Sequence, residues 1–300
     1  MITTDKIWQN GTLVNWDDAH THVLSHGLHY STGAFEGVRC YKTEQGPAIF
    51  KLKEHTDRLF FSADVLGMTM PFTHQQIQDA IVETVKVNNL DSGYIRPLIY
   101  YGYGSLGMRV SDDLPVDVVI ACWPWGAPMS LEVDLKVSEF IRIHPKSTVS
   151  DAKLCGHYIN SFLANLAIRK THYHEALMLD MDGYVAEGCV ENIFIIKDGK
   201  LTTTPPGTIL NGITRQTTIQ IAHDLGLEVT EKRFKVEDIL AADEALLTGT
   251  AIEVAGVSSV DDQKVGDGKI GPITQQIRQA YLDIVGGKNA KYHHDLTLVK

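Results

Sequence analysis

Three hundred residues, 44% of them apolar and 21% charged, can bury a sizeable core in one or two domains and do not have the composition of a disordered chain. With 27 basic and 37 acidic side chains the formal charge is −10, which argues against a nucleic-acid or anionic-membrane surface, and no Lys/Arg-rich run offsets it. The four cysteines are widely spaced with no CxxC pair, the start lacks the basic and apolar segments of a signal peptide, and no stretch approaches the roughly 20 apolar residues that span a bilayer, so a cytoplasmic protein with reduced thiols is expected.

In chain order, Thr73 with Gln76 fits a capping box, and Ile77, Ile81 and Val85 repeat behind it at helical spacing. Residues 93–101 read as a strand in which Pro97 predicts an edge or a bulge. The almost wholly apolar run 116–122 predicts a strand buried on both faces. Residues 124–130, with two prolines and a glycine, break the periodicity, so a domain boundary is placed there: a small α+β domain over 1–123, a linker over 124–136 and a larger α+β domain over 137–300. In the second domain, Ile159, Phe162, Leu163, Leu166 and Ala167 form an apolar stripe on a helix beginning just beyond Lys153. Short strands are expected at 176–179 and 193–196, with Asp182-Gly183 and Asp198-Gly199 as hairpin turns. Ile219, Ala222 and Leu225 line a helix that stops at Gly226, and a last helix starts at Pro272 with Ile273, Ile277, Ala280, Tyr281 and Ile284 inward. The strands do not alternate with helices in a βαβα rhythm, which favours two α+β domains over a doubly wound sheet.

Several local features could carry chemistry. Lys153, followed by Leu154, Cys155 and Gly156 and then a helix, could lose water and become an amine nucleophile toward a carbonyl, although taken alone it reads more readily as an ordinary surface lysine in a loop before a helix. The turn 206–215 ends at Thr214, an N-cap candidate whose helix could present N–H groups to a phosphate, and 247–252 is a similar turn after a strand. Neither is a P-loop. Glu187 and Glu191 place two acids near a strand end without naming a partner for either. Histidines at 20/22, 26/29, 172/174 and 293/294 have metal-like local spacing, but no HExxH or paired Cys/His pattern exists and no metal is expected. GxGxxG is absent, which disfavours a dinucleotide enzyme.

Together these features sit in a larger pattern. The blocks Ser25–Tyr30, Gly33–Tyr41, Glu54–Leu59, Tyr94–Pro97, Trp125-Gly126, Asp151–Lys153, Asp182–Gly188, Glu191-Asn192, Gly212–Arg215 and Thr248–Ala251 occur in the order in which the branched-chain amino-acid aminotransferases carry them. The chain resembles that family, part of the D-amino-acid-aminotransferase-like group of pyridoxal-phosphate enzymes of fold type IV, over nearly its whole length. The resemblance implies an α+β fold of two domains with a cofactor cleft between them, and pyridoxal 5′-phosphate as cofactor. It further implies reversible, ping-pong amino transfer between L-leucine, L-isoleucine or L-valine and 2-oxoglutarate.

Residue by residue, the resemblance implies that Lys153 is the Schiff-base lysine and proton carrier. Glu187 faces the pyridine nitrogen and Tyr158 hydrogen-bonds the 3-oxygen, while Arg58, Ile213, Thr214 and Thr250 form the phosphate cup. The Thr250 and Ala251 amides and the Tyr94 hydroxyl hold the substrate α-carboxylate. Phe35, Trp125 and Tyr158 line an apolar side-chain pocket, to which Tyr30 and the 106–108 loop with Met108 are contributed across a dimer interface. Arg39 and Arg96 admit the distal carboxylate of glutamate. Partners are therefore amino acids, 2-oxo acids and a second copy of the chain, with no nucleic acid and no membrane. Val190, Pro128 and Arg109 depart from the family pattern and bear on side-chain preference. A D-amino-acid or (R)-amine aminotransferase of the same fold is the nearest alternative.

Overall fold

The computed structural model describes residues 3–126 and 131–300. The chain opens with strands β1 (Lys6–Gln9) and β2 (Thr12–Asn15), a short helix α1 (His26–Tyr30), and strands β3 (Gly33–Phe35), β4 (Val38–Thr43) and β5 (Gly46–Phe50). Helices α2 (Leu52–Val65) and α3 (His74–Val87) follow, then the long strands β6 (Gly93–Tyr101) and β7 (Val116–Pro124). After these come β8 (Glu132–Val137), α4 (Tyr158–Ile168), β9 (Glu175–Leu179), β10 (Val185–Gly188), β11 (Asn192–Lys197) and β12 (Lys200–Thr203). The chain continues through α5 (Ile213–Asp224), β13 (Val229–Glu231), α6 (Val236–Leu240), β14 (Glu244–Gly249), β15 (Glu253–Val260), β16 (Gln263–Lys264), α7 (Pro272–Val285) and β17 (Leu296–Leu298).

Two compact units result. One holds the described residues of Met1–Ala127 together with Ala152–Gly156 and Ile284–Lys300, and the other holds those of Pro128–Asp151 and His157–Asp283. This differs from a simple split along the sequence, because two later segments return to the first unit. Leu154 bridges to Ala34, Lys153 accepts the Phe35 N–H at 3.1 Å, and β17 pairs antiparallel with β5. Backbone pairing over more than a hundred residues has no local sequence signal, so only the folded chain reveals it.

The first unit is built on a sheet in the order β17-β5-β4-β6-β7-β1-β2, with β3 also pairing with β6. Side chains alternate across a strand. On β6, Ile95 and Ile99 turn to the core, where they join Val38 and Cys40 of β4, Val118 and Ile120 of β7, Leu59 and Ala63 of α2, and Ile77, Ile81 and Val85 of α3. The capping box at the start of α3 is complete, with Thr73 and Gln76 bonding each other's backbone N–H. Strand β7 buries Val118, Ile120 and Cys122 but leaves the intervening residues partly accessible, so its apolar run is buried on one face rather than both.

Pro97 proves the least orthodox residue of this sheet. The expected edge or bulge is not what the fold uses, for β6 lies between β7 on one side and β4 and β3 on the other. Residues 93–95 pair with β4 and residues 98–100 with β3, which leaves Pro97 opposite the break between those two short strands. Its carbonyl accepts the Glu36 N–H at 2.9 Å. Since N–H and C=O of a strand residue point to the same side, the missing proline N–H faces that break, where no ladder bond is lost.

The second unit contains a sheet in the order β10-β9-β8-β15-β14-β11-β12-β13, with β16 added to β15. It is mixed: β8 runs parallel to β9 and to β15, and β12 parallel to β13. The β11–β12 hairpin turns at Asp198 and Gly199, both with positive φ (49° and 74°), as a two-residue turn of the primed type requires. Leu135, Leu177, Ile193, Leu247 and Ala255 lie at its core with Phe234 and Ile239. Two helices orient differently from their apolar patterns. α4 buries Ser161, Ala164 and Ile168 and exposes Ile159, Phe162 and Leu166. α5 buries Thr214, Thr217, Thr218, Ile221 and Ala222, and leaves Leu225 exposed. Small and hydroxyl side chains let these helices lie close to the sheet, and the Thr217 hydroxyl donates to the Ile213 carbonyl at 2.9 Å. α7 does bury Ile277, Tyr281 and Ile284 as its pattern predicts.

Among the described residues no helix is long and apolar enough to cross a membrane. Ile95 is wholly buried at the centre of the first sheet, whereas the Thr73 cap is exposed to water. Ile95→Ala should therefore lower stability by about 2–5 kcal/mol and Thr73→Ala by about 1 kcal/mol, read from the shift of the urea unfolding midpoint. Equal shifts in the two variants would contradict this placement of the core.

Candidate active site

Helix α2 and strand β3 of the first unit meet at Lys153. Its backbone is held at both ends: the N–H donates to Ser62 Oγ at 2.8 Å, and the carbonyl accepts from Phe35. Its Nζ sits 4.9 Å from the centre of the Phe35 ring. The Arg96 guanidinium lies 4.8 Å from the centre of the same ring, so both basic side chains meet the π system of Phe35.

Arg96 is set there by strand alternation. Tyr94, Arg96 and Leu98 project from the face of β6 opposite its core residues. Tyr94 pairs with Arg39 on β4 and with Trp123 on β7, placing a guanidinium, a phenol and an indole in one row. The Tyr94 ring stands 5.3 Å from both Trp123 and Trp125. Gly37 is required for this row, because a Cβ there would fall 1.9 Å from the Tyr94 hydroxyl. Arg39 is buried and stacks 4.8 Å from the Tyr41 ring. The buried Arg96 Nε has no hydrogen-bond partner among the described residues. A half-buried guanidinium with such an inaccessible, unpartnered donor suits an anionic ligand.

Arg58, expected at the phosphate, extends from α2. Its Nε and Nη2 donate to the two oxygens of Glu36 at 2.6 and 2.9 Å. His55 Nδ1 lies 2.7 Å from Glu36 Oε2. Burial by itself pushes the Glu36 carboxyl up, but the charges and hydrogen bonds of Arg58 and His55 outweigh it and hold Glu36 well below the usual carboxylate range. Burial lowers His55, more than the Glu36 carboxylate raises it. Neither Glu36 nor His55 stands out in the sequence as a site residue. The only available hint is a charged residue at 36 within a run of small and apolar neighbours.

Tyr30 and Met108 lie elsewhere in the first unit. The Tyr30 hydroxyl donates to the Leu106 carbonyl at 2.8 Å, and His26 meets the Gly107 carbonyl at 3.2 Å. The segments around residues 20–31 and 102–108 thus adjoin, and they expose Val23, Leu28, Tyr103 and Met108.

In the second unit the convergent residue is Asn192. Its Nδ2 donates to Glu187 Oε2 and to the Leu210 carbonyl, both at 2.9 Å. Its backbone pairs with Thr248 across β11 and β14. A Cβ on Gly212 would fall 2.2 Å from Asn192 Oδ1, so that glycine is what lets α5 start so close. One asparagine thereby joins Glu187, the start of α5 and the end of β14. The helix begins earlier than its Thr214 cap candidate suggests: Gly212 is the N-cap and Thr214 lies inside the first turn. Gln216 N–H is the donor that closes onto the Gly212 carbonyl, so the N–H groups of Ile213 and Thr214 precede the helix's own bonding. Thr250 and Ala251 form the turn between β14 and β15.

Glu187 is buried on β10, and Arg142 Nε donates to its Oε1 at 2.5 Å. The Leu210 N–H lies 3.3 Å from both carboxylate oxygens. Arg142 is the partner that the sequence left unnamed, a lone cation between Ile141 and Ile143. Burial, then the charge of nearby Glu175, pushes the Glu191 carboxyl up. Tyr158 opens α4. Val190 is exposed and Arg109 lies in the loop after Met108, while Pro128 lies outside the described residues. No group of three or more metal-ligating side chains occurs among the described residues.

The residues fit pyridoxal phosphate. A buried carboxylate fixed by a guanidinium can hold a protonated ring nitrogen, helix-start N–H groups suit a phosphate, and the buried Thr248 Oγ1 beside that turn has no partner among the described residues. The depressed Glu36 also fixes the sign of an acid dependence. A carboxyl lower in the folded chain than its unfolded value of about 4.3 contributes stability that is present above that value and lost as pH falls through the folded one. Glu36→Gln should cost about 3–5 kcal/mol at pH 7 and flatten the decline of the unfolding midpoint below about pH 4.3. An unchanged acid limb in this variant would remove Glu36 as its cause.

The class IV amino-transferase family matches residues 33–260. A branched-chain-amino-acid aminotransferase of Pseudomonas aeruginosa is 47% identical over 299 residues, covering 98% of this chain and 97% of that protein. The T.th. branched-chain amino acid aminotransferase complexed with N-(5′-phosphopyridoxyl)-L-glutamate superposes with a TM-score of 0.97 at 42% identity, over 100% of both chains. The same enzyme complexed with 4-methylvaleric acid gives 0.96 at 41%, again over 100% of both. The chain belongs to the class IV aminotransferases and is a pyridoxal-phosphate-dependent enzyme.

Proposed function

We propose that this aminotransferase moves the amino group of L-leucine, L-isoleucine or L-valine to 2-oxoglutarate, reversibly. The observation that carries the reading is the face of β6, where Phe35, Tyr94, Trp123 and Trp125 supply apolar surface, with Arg39 buried and Arg96 half-buried beside them. An aliphatic side chain gains by leaving water against such a wall, whereas the distal carboxylate of glutamate needs a cation to offset its desolvation. The two solved complexes of the T.th. enzyme hold both kinds of group, a glutamate conjugate and 4-methylvaleric acid.

Pyridoxal phosphate, when bound, supplies an aldehyde that takes up the amino group and a ring that accepts the electron pair from Cα. The residues of the chain divide the remaining work. Lys153 would hold the cofactor through its Nζ and would carry a proton at that atom. Its backbone clamp between Ser62 and Phe35 limits where Nζ can travel. Glu187 holds a proton on the ring nitrogen, and Arg142 and Asn192 keep its carboxylate in place. Tyr158 bonds the 3-oxygen. Arg58, Ile213, Thr214 and Thr250 bind the phosphate, while Thr250, Ala251 and Tyr94 bind the α-carboxylate.

Self-association belongs to the same reading. Val23, Leu28, Tyr103 and Met108 are exposed apolar side chains on adjoining segments, and apolar side chains gathered in this way suit an interaction surface. A dimer would cover it and bring Tyr30 and the 106–108 loop to the neighbouring site. Four free cysteines, three of them buried, fit the reducing cytoplasm.

Glutamate formation from 2-oxoglutarate with L-leucine, L-isoleucine, L-valine, D-alanine and (R)-1-phenylethylamine as separate donors tests the substrate assignment. The branched-chain L-amino acids should dominate, and a preference for D-alanine or the amine would refute it in favour of the related D-amino-acid or amine enzymes. Lys153→Ala should lower kcat by at least about 10²–10⁴-fold and abolish the visible absorption band of the bound cofactor, and retention of both would exclude Lys153. Sedimentation velocity should give a dimer or larger species, and Leu28→Asp should shift it toward monomer with loss of activity. A fully active monomer would contradict the shared site.

A further inference from the structure

Behind Arg58 stand Glu36, which is bonded to it, and His55, which is bonded to Glu36, and the proposed chemistry gives neither a task. We propose that Glu36 and His55 are positioning residues for the cofactor phosphate, which lock one edge of the Arg58 guanidinium so that its other edge meets the phosphate in a single orientation. The inference rests on the reading of Arg58 as a phosphate ligand.

The geometry is that of a built clamp. Guanidinium carries five N–H donors in a planar fork and can present either edge to an anion. Here Nε and Nη2 are both committed to Glu36, at 2.6 and 2.9 Å. That takes two donors and one whole edge. Glu36 has no exposed surface, and its backbone N–H is tied to the Pro97 carbonyl at 2.9 Å. A carboxylate fixed at both its backbone and its head group cannot swing with the arginine. His55 completes the lock from the second oxygen at 2.7 Å. Burial lowers its tendency to charge more than the Glu36 carboxylate raises it, and its hydrogen bond gives that carboxylate a second hold.

One helix face carries the set. His55, Arg58 and Ser62 stand at i, i+3 and i+7 on α2 and therefore share a side. Ser62 Oγ donates to the Arg58 carbonyl at 2.8 Å and accepts the Lys153 N–H at 2.8 Å. The helix that aims Arg58 thus also fixes the backbone of the lysine that joins the other end of the cofactor.

A stabilising role alone is a poor explanation for the clamp. Replacing a buried ion pair by apolar groups is often neutral or favourable for stability, so such a pair contributes little that packing could not. Glu36 also offsets part of the positive charge that a phosphate would seek. What the pair does supply is orientation: a long side chain loses rotamer freedom when the chain folds rather than when ligand binds.

The test compares two ligands. Tryptophan fluorescence titrations of the cofactor-free full chain with pyridoxal 5′-phosphate and with pyridoxal, which lacks the phosphate, give a ratio of dissociation constants that reads the phosphate contribution alone. Arg58→Gln should collapse the ratio. Glu36→Gln should lower it by about 10- to 100-fold, the range found when a group that orients a first ligand is removed, with affinity for pyridoxal unchanged. His55→Leu keeps both ions and should lower the ratio by a smaller factor, which decides the matter if Glu36→Gln does not fold. An equal loss for both ligands, or an unchanged ratio in the folded variants while Arg58→Gln loses it, would overturn the positioning role. A ratio unchanged in Arg58→Gln would instead overturn the assignment of Arg58 to the phosphate.

Discussion

A carboxylate taken out of water must be met by a cation and by hydrogen-bond donors, or it will take up a proton instead. Each unit of this chain is organised around one such group. In the first, Glu36 is enclosed by Arg58 and His55. Strand β3 passes into β4 around it, α2 presents its polar face to it, and Pro97 on β6 accepts its backbone N–H. In the second, Glu187 draws Arg142, Asn192 and the Leu210 N–H, and Asn192 in turn fixes where α5 starts and where β14 ends. The compensation of buried charge is thus also what sets the backbone near each group.

That arrangement places strong cations beside apolar surface without leaving them exposed. Phe35 lies under both Arg96 and Lys153, and Arg39 is buried next to Tyr94 and Tyr41. Proteins rarely bury so much positive charge near aromatics unless an anion completes the set. For an aminotransferase the same wall can meet an aliphatic side chain in one half-reaction and a dicarboxylic acid in the other, because hydrophobic transfer is non-directional while the guanidinium groups act only on an acceptor at the right place. The glycines at 37 and 212 belong to this economy of space, since each lies where a single added methyl group would overlap a polar side chain that the site uses.

The elements that the sequence made legible share a physical trait: their signals are local. The capping box at Thr73, the positive-φ turn at Asp198-Gly199 and the inward face of α7 depend on residues within one or two turns of each other. The family pattern likewise identified the chemistry, because Lys153, Glu187 and the turns at 212–215 and 248–251 are spelled out as short blocks. Apolar spacing was less dependable on α4 and α5. There, closeness to a neighbouring sheet favoured Ser161, Ala164 and the threonines on the inner face, and the larger apolar side chains turned outward.

By itself, then, the sequence determined the α+β class, the family and the residue types able to hold the cofactor. Only the tertiary structure decided who stands behind them. That Arg142 answers Glu187, that Glu36 grips Arg58 and is met by His55, that Pro97 rests opposite a break between strands, and that the segment of Lys153 returns to β3 are all pairings between distant residues. Such pairings are fixed by the common requirement to satisfy buried polar groups while closing a core, and no single window of sequence contains both partners.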